Sequence, residues 1–106
     1  MSVIMTARSS GDRKRFEQFA SDNPDRMKSI ADQAKEHGLI AHRVYGTDDN
    51  QVMVVDEWPD EQSFQTFFEK MQGEIGPMMQ DAGLSGDLEI KFWHSVESQD
   101  KVGWGA

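Results

Sequence analysis

One succession of periodicities occurs twice in this chain and restricts its fold more than any single motif. Val3 to Arg8 reads as a β-type run, and the segment after it carries Phe16, Phe19 and Ala20, then Met27, Ile30, Ala31 and Ala34. That three-and-four spacing is one buried helix face, and it stops at Gly38. Ala41 to Gly46 and Gln51 to Trp58 follow as two strands, joined by the turn-rich Thr47, Asp48, Asp49 and Asn50 as an antiparallel hairpin. Phe64, Phe67, Phe68 and Met71 repeat the helical stripe, and Leu88 to Ser95 closes the unit. In that last run Leu88, Ile90 and Phe92 share one face, with Glu89 and Lys91 on the other. Strand, helix, strand, strand, helix, strand is the split βαβ, ferredoxin-like plan: an α+β fold with a four-stranded antiparallel sheet and helices on one face.

Local signals refine the boundaries. Asn23 followed by Pro24 has the form of a helix cap plus first-turn proline, which predicts a break in the first helical segment. Trp58, Pro59, Asp60 and Glu61 start the second helix, with acids at the positive end of its dipole. Gly73, Gly76 and Pro77 interrupt that helix, and Met78, Met79 and Ala82 resume the pattern before Gly83, so a helix, a break and a short helix are expected. Residues 1–96 form the single domain and residues 97–106 a tail, in which Gly103, Trp104 and Gly105 either fray or dock on a partner.

Composition removes whole classes of function. A chain of 106 residues buries one core. Its 19 acidic and 11 basic residues give a net charge of −8, which opposes nucleic acid and anionic membrane surfaces. Arg13, Lys14 and Arg15, flanked by Asp12 and Glu17, read as a solvated helix face. Cysteine is absent, which excludes disulfides, thiolate nucleophiles, iron–sulfur clusters and cysteine zinc sites. No apolar run approaches the roughly 20 residues that cross a bilayer, and the N-terminus has no signal-peptide pattern, so a soluble cytoplasmic protein is expected. Phosphate-binding glycine loops, a GxSxG elbow and spaced metal-ligand clusters are missing, so no metal, flavin or haem is expected.

The chemistry-bearing residues are few. His37 lies in the last helical turn before Gly38, where a cation suits the dipole. His94 continues the face of Leu88, Ile90 and Phe92, and His42 shares a face with Val44, so either points into the core or into a pocket. These two are the acid/base candidates, since imidazole suits proton transfer near neutral pH. Alternation puts Val52, Val54, Asp56 and Trp58 on one strand face and turns Glu57 away; beside a buried surface Asp56 must be paired or altered in proton affinity, and either acid reads as an exposed strand-end carboxylate or as a base. Trp58 seals the core edge or stacks on a flat ligand. Phe64, Phe67 and Met78 belong to a stripe that is core or, with the Gly73 to Met79 break, a pocket wall that opens. Strand alternation is expected to bring His94 and His42 to one cavity, with Phe64, Phe67 and Met78 opposite.

Val54, Val55, Asp56, Glu57, Trp58, Pro59, Asp60, Glu61, Ser63, Phe64 and Phe67, within the layout above, resemble the antibiotic biosynthesis monooxygenase group of dimeric α+β barrels, over residues 2–95. The resemblance implies a homodimer whose two sheets form a barrel, and an apolar pocket between each sheet and its helices; it places Trp58 at the pocket mouth, so that His94, His42 and Trp58 are expected to line one cavity. Met53, Val55 and Trp93 are expected on the dimer face. Haem-degrading members use an Asn in the first strand, a Trp in the second helix and a His further along; here these positions hold no Asn, Phe67, and Met78 or Met79. Quinone-forming members use a Trp matched by Trp58, but Val52 and Val54 stand where their Asn is expected. Two functions follow: a cofactor-independent oxygenase for a small aromatic or polyketide-like molecule, with His94 or His42 as base, or a noncatalytic dimer that binds a small apolar ligand or serves an accessory role.

Overall fold

The computed structural model describes residues 1–103. Its strands are β1 (Val3–Ser10), β2 (Ala41–Gly46), β3 (Gln51–Trp58) and β4 (Ser85–Trp93), and its helices α1 (Arg13–Asp22), α2 (Pro24–Glu36) and α3 (Glu61–Asp81). The strands form one antiparallel sheet in the order β2-β3-β1-β4. This is the expected ferredoxin-like α+β fold. The β2–β3 hairpin falls at the expected residues, and Asn50 takes the positive φ (66°) that its tight turn requires. β1 runs two residues past Arg8, while β4 starts at Ser85 and ends at Trp93, with a register shift between Arg8 and Ser10 and a left-handed Gly86.

Pairing sets which side chains share a face. Met5 lies between Asp56 and Phe92, Ala7 between Val54 and Ile90, and His42 and Val44 sit opposite Asp56 and Val54. Val3, Met5, Ala7 and Ser9 therefore bury with Val52, Asp56 and Trp58 beneath the helices. The opposite face carries Ile4, Tyr45 and Trp93, all exposed. Arg8 and Lys91 bracket Glu89 on that face, and the Trp93 indole donates to Thr6 Oγ1 at 2.9 Å.

The helical break at Asn23 occurs as expected, between α1 and α2. Asn23 makes no forward side-chain cap; its Nδ2 donates back to the Phe19 carbonyl at 2.9 Å and so closes α1 instead. α2 ends at His37, whose Nδ1 lies 2.9 Å from the Gln33 carbonyl, and Gly38 follows with φ 103°.

The expected break in the second helix is absent: α3 is a continuous helix of 21 residues with Pro77 inside it. Pro in a helix interior costs about 3 kcal/mol and each Gly about 1 kcal/mol relative to Ala. Against that, Phe64, Phe67, Met71, Ile75, Met78 and Ala82 form an unbroken stripe against the core, and full burial of one such apolar side chain contributes about 1.5–3 kcal/mol. Packing on both sides of Pro77 thus outweighs local propensity. Gly73 and Gly76 lie on the open side, where an added Cβ would meet nothing within 4 Å.

Among the described residues, no helix is long and apolar enough to cross a membrane. Of the tail residues singled out in the sequence, Trp104 and Gly105 lie outside the described residues.

Candidate functional site

A cavity of about 130 Å³ lies between the sheet and the helices. Met5, Ala7, Val44 and Val54 make its floor, and Ile30, Ala34, Phe64, Phe67 and Met78 reach it from α2 and α3. Ser9, His42 and Asp56 are the side chains in this lining that carry polar atoms near the sheet. The space is therefore apolar with one ionisable corner, at the β2–β3 pair.

That corner is built by register. His42 and Asp56 are 14 residues apart in sequence but face each other across the hairpin, and His42 Nδ1 lies 2.6 Å from Asp56 Oδ1. Trp58, two residues further along the same face, donates its indole N–H to Asp56 Oδ2 at 3.2 Å. A carboxylate only accepts, so both contacts are donated to it, and the proton of a neutral His42 sits on Nδ1. The lone pair is then on Nε2, the nitrogen left for a ligand. Asp56 is 6% exposed and Trp58 0%, whereas the His42 side chain is 41% exposed. Burial of the acid is thus offset by two hydrogen bonds, and the imidazole stands between that buried anchor and solvent. No buried polar side-chain atom among the described residues lacks a partner.

The expected single cavity is only partly assembled. His42, Phe64, Phe67 and Met78 line it. His94 does not: β4 ends at Trp93, so the strand alternation that would carry His94 inward has already stopped. Its side chain is 65% exposed, and Nε2 lies 3.5 Å from Glu61 Oε2 at the start of α3. Trp58 shares the inner face but is sealed in the core, with ring centroids 5.8 Å from Phe64 and 5.5 Å from Phe67. It touches the cavity through Asp56 and the phenylalanine rings rather than as an open stacking wall. Glu57 points to the other face and accepts from Ser2. His37 sits beside Phe67, with ring centroids 5.9 Å apart. No group of three or more His, Cys, Asp or Glu suited to a metal ion occurs among the described residues.

Alternation grouped Asp56 with Val52, Val54 and Trp58 but did not mark it as the hub that joins His42 to Trp58. A strand-end carboxylate at that position reads as exposed as readily as paired, and the partner depended on hairpin register. Ser9 and Phe16 were not singled out as cavity residues. Phe16 lies within an apolar pattern that core packing alone accounts for, and Ser9 lies beyond Arg8, where the first strand was expected to end.

No family model matches the chain, and no curated protein matches it in sequence. Solved structures match over nearly the whole chain. The cofactor-independent oxygenase SnoaB from Streptomyces nogalater is 15% identical with a TM-score of 0.63, covering 94% of this chain and 98% of that one. The monooxygenase from the gene ActVA-Orf6 of Streptomyces coelicolor, solved with nanaomycin D, is 13% identical with a TM-score of 0.67, covering 95% and 92%. A dimeric ferredoxin-like protein from an uncultured marine organism is 12% identical with a TM-score of 0.65, covering 95% and 93%. The structural neighbours of this chain are antibiotic biosynthesis monooxygenase-like proteins, and the fold it shares with them is the ferredoxin-like α+β fold.

Proposed function

We propose that the protein is a cofactor-independent monooxygenase for a small aromatic molecule, with His42 as its base. The observation that carries this reading is the Trp58–Asp56–His42 chain, which fixes an imidazole at the polar corner of an apolar cavity. An oriented His at such a corner suits proton removal from a weakly acidic ring hydroxyl. The phenolate then gives an electron to dioxygen, and the two radicals combine at a ring carbon. Reprotonation of the peroxide and loss of water convert that C–H carbon to a carbonyl. One oxygen atom ends in the quinone and the other in water, and the ring supplies all the electrons. Asp56 and Trp58 are positioning residues in this scheme, while Phe64, Phe67 and Met78 hold the ring. The structural likeness to oxygenases of 13–15% identity supports the reading through fold alone.

The assembly we propose is a homodimer joined through the open sheet face, where Ile4, Tyr45 and Trp93 are exposed beside half-buried Met53 and Val55. Symmetric two-fold pairing would cover that apolar surface, and one structural neighbour is itself dimeric.

A second reading, a noncatalytic binder of a small apolar ligand, is favoured by the burial of Trp58, which leaves that ring out of direct reach of a ligand. Oxygen uptake separates the two. With a panel of monocyclic phenols, the wild-type protein should consume dioxygen and form quinone, and His42→Gln should lower the rate by about 100-fold. Binding of the phenols without oxygen uptake refutes the monooxygenase and leaves the binder.

A further inference from the structure

We infer that Phe16 is the specificity-determining side chain of this cavity: it limits the ligand to a single ring by separating the cavity from a second hollow under α1. This rests on the ligand-binding reading above and adds a size class to it. An apolar cavity of about 150 Å³ takes up benzene, and the space beside His42 measures about 130 Å³, so it accommodates one ring. A second hollow of about 270 Å³ lies between α1 and the β2–β3 pair. Phe16, Val44 and Val52 line both spaces. Val44 and Val52 belong to the floor of the sheet, so Phe16 is the part of the shared wall that comes from the helical layer.

The geometry gives that wall a direct bearing on the ligand. His42 and Val44 are alternate residues of β2 on one face, roughly 7 Å apart along the strand. A ring docked on His42 that extended over Val44 would meet Phe16. A second fused ring is therefore refused by a clash rather than by a lost attraction. Phe16 follows, by one turn, the point where α1 meets the β2–β3 hairpin. The Arg13 stem lies so close over Gly46 that a Cβ there would sit 2.7 Å from Arg13 Cβ, and the Arg13 guanidinium reaches Asp48 at 3.0 Å. α1 has no fully buried side chain, so the partition rests on a half-buried ring that can be truncated without emptying the core.

Equilibrium titrations of the intact protein with phenol and with 1-naphthol test this. The readout is the ratio of the two affinities, compared across wild type, Phe16→Ala, Phe16→Leu and Phe19→Ala. Phe16→Ala should shift the ratio at least 10-fold in favour of 1-naphthol. Phe16→Leu, which keeps an apolar side chain and guards against loss of folding, should shift it in the same direction by a smaller factor. Phe19→Ala perturbs the same helix away from the partition and should leave the ratio unchanged. An unchanged ratio in folded Phe16 variants overturns the inference while phenol binding upholds the cavity. A wild-type protein that binds neither probe refutes the ligand-binding reading itself, and the inference falls with it.

Discussion

Replacing Trp58 with Phe should destabilise the protein by about 2–3 kcal/mol, and most of that loss should come from one hydrogen bond. The indole N–H meets a carboxylate that is 6% exposed, at 3.2 Å. Hydrogen bonds to charged groups contribute about 1.5–3 kcal/mol, and a length at the far end of the usual range places this one at about 1.5 kcal/mol. A Phe at this position still faces Phe64 and Phe67, so much of the aromatic contact survives. Full truncation of a buried Trp costs about 3–5 kcal/mol, and the smaller void left by a phenyl ring accounts for roughly 1 kcal/mol more. Urea denaturation at one fixed protein concentration measures the sum, since an oligomer's stability depends on concentration. The decisive comparison is a double-mutant cycle with Asp56→Asn. Removing the charge first should reduce the cost of Trp58→Phe by about 1 kcal/mol. If the two substitutions add within about 0.5 kcal/mol, the two sites are uncoupled and the Trp58–Asp56 link carries no energy.

Asp56→Asn should also invert the His42 tautomer, because an amide NH₂ facing Nδ1 requires a lone pair there; nitrogen NMR should find the neutral-ring proton on Nε2, and retention on Nδ1 would contradict the hydrogen-bond assignment. Gly46→Ala should destabilise by about 1–3 kcal/mol, because the new Cβ would meet Arg13 Cβ at 2.7 Å and force α1 outward; a neutral effect in thermal denaturation would show that α1 moves freely. The backbone N–H and side chain of Ser63 hold the Asp60 carboxylate below the ordinary aspartate range. Its contribution should be complete above about pH 4 and should fade as pH falls through the lower folded-state value, whereas Asp60→Asn should remove that acid-side slope in stability measured from pH 5 to 2. Val55→Glu, which places a charge at the centre of the open sheet face opposite Thr6 and Arg43, should yield a monomer by light scattering, against the dimer proposed for the wild type; a dimeric variant would locate the interface elsewhere.

The strands and the faces they present were legible in sequence because alternation is a local property. Val52, Val54, Asp56 and Trp58 fall on one face whatever they pair with, and the hairpin turn is written in Thr47 to Asn50. The break at Asn23 was legible for the same reason, since proline acts on its own backbone. The continuity of α3 was not, because the stripe from Phe64 to Ala82 overrides Gly73, Gly76 and Pro77 only when a core lies beneath it. Nor could alternation say where β4 would end, and one residue beyond Trp93 His94 leaves the inner face for Glu61. Alternation grouped Asp56 with Val52, Val54 and Trp58, and His42 with Val44, but left open which way those faces turn; the register of β2 against β3 brought His42 to Asp56, and the helical layer set how much space remains beside them. Pairing across 14 residues and the volume left between layers depend on contacts distant in the chain, which no local pattern encodes.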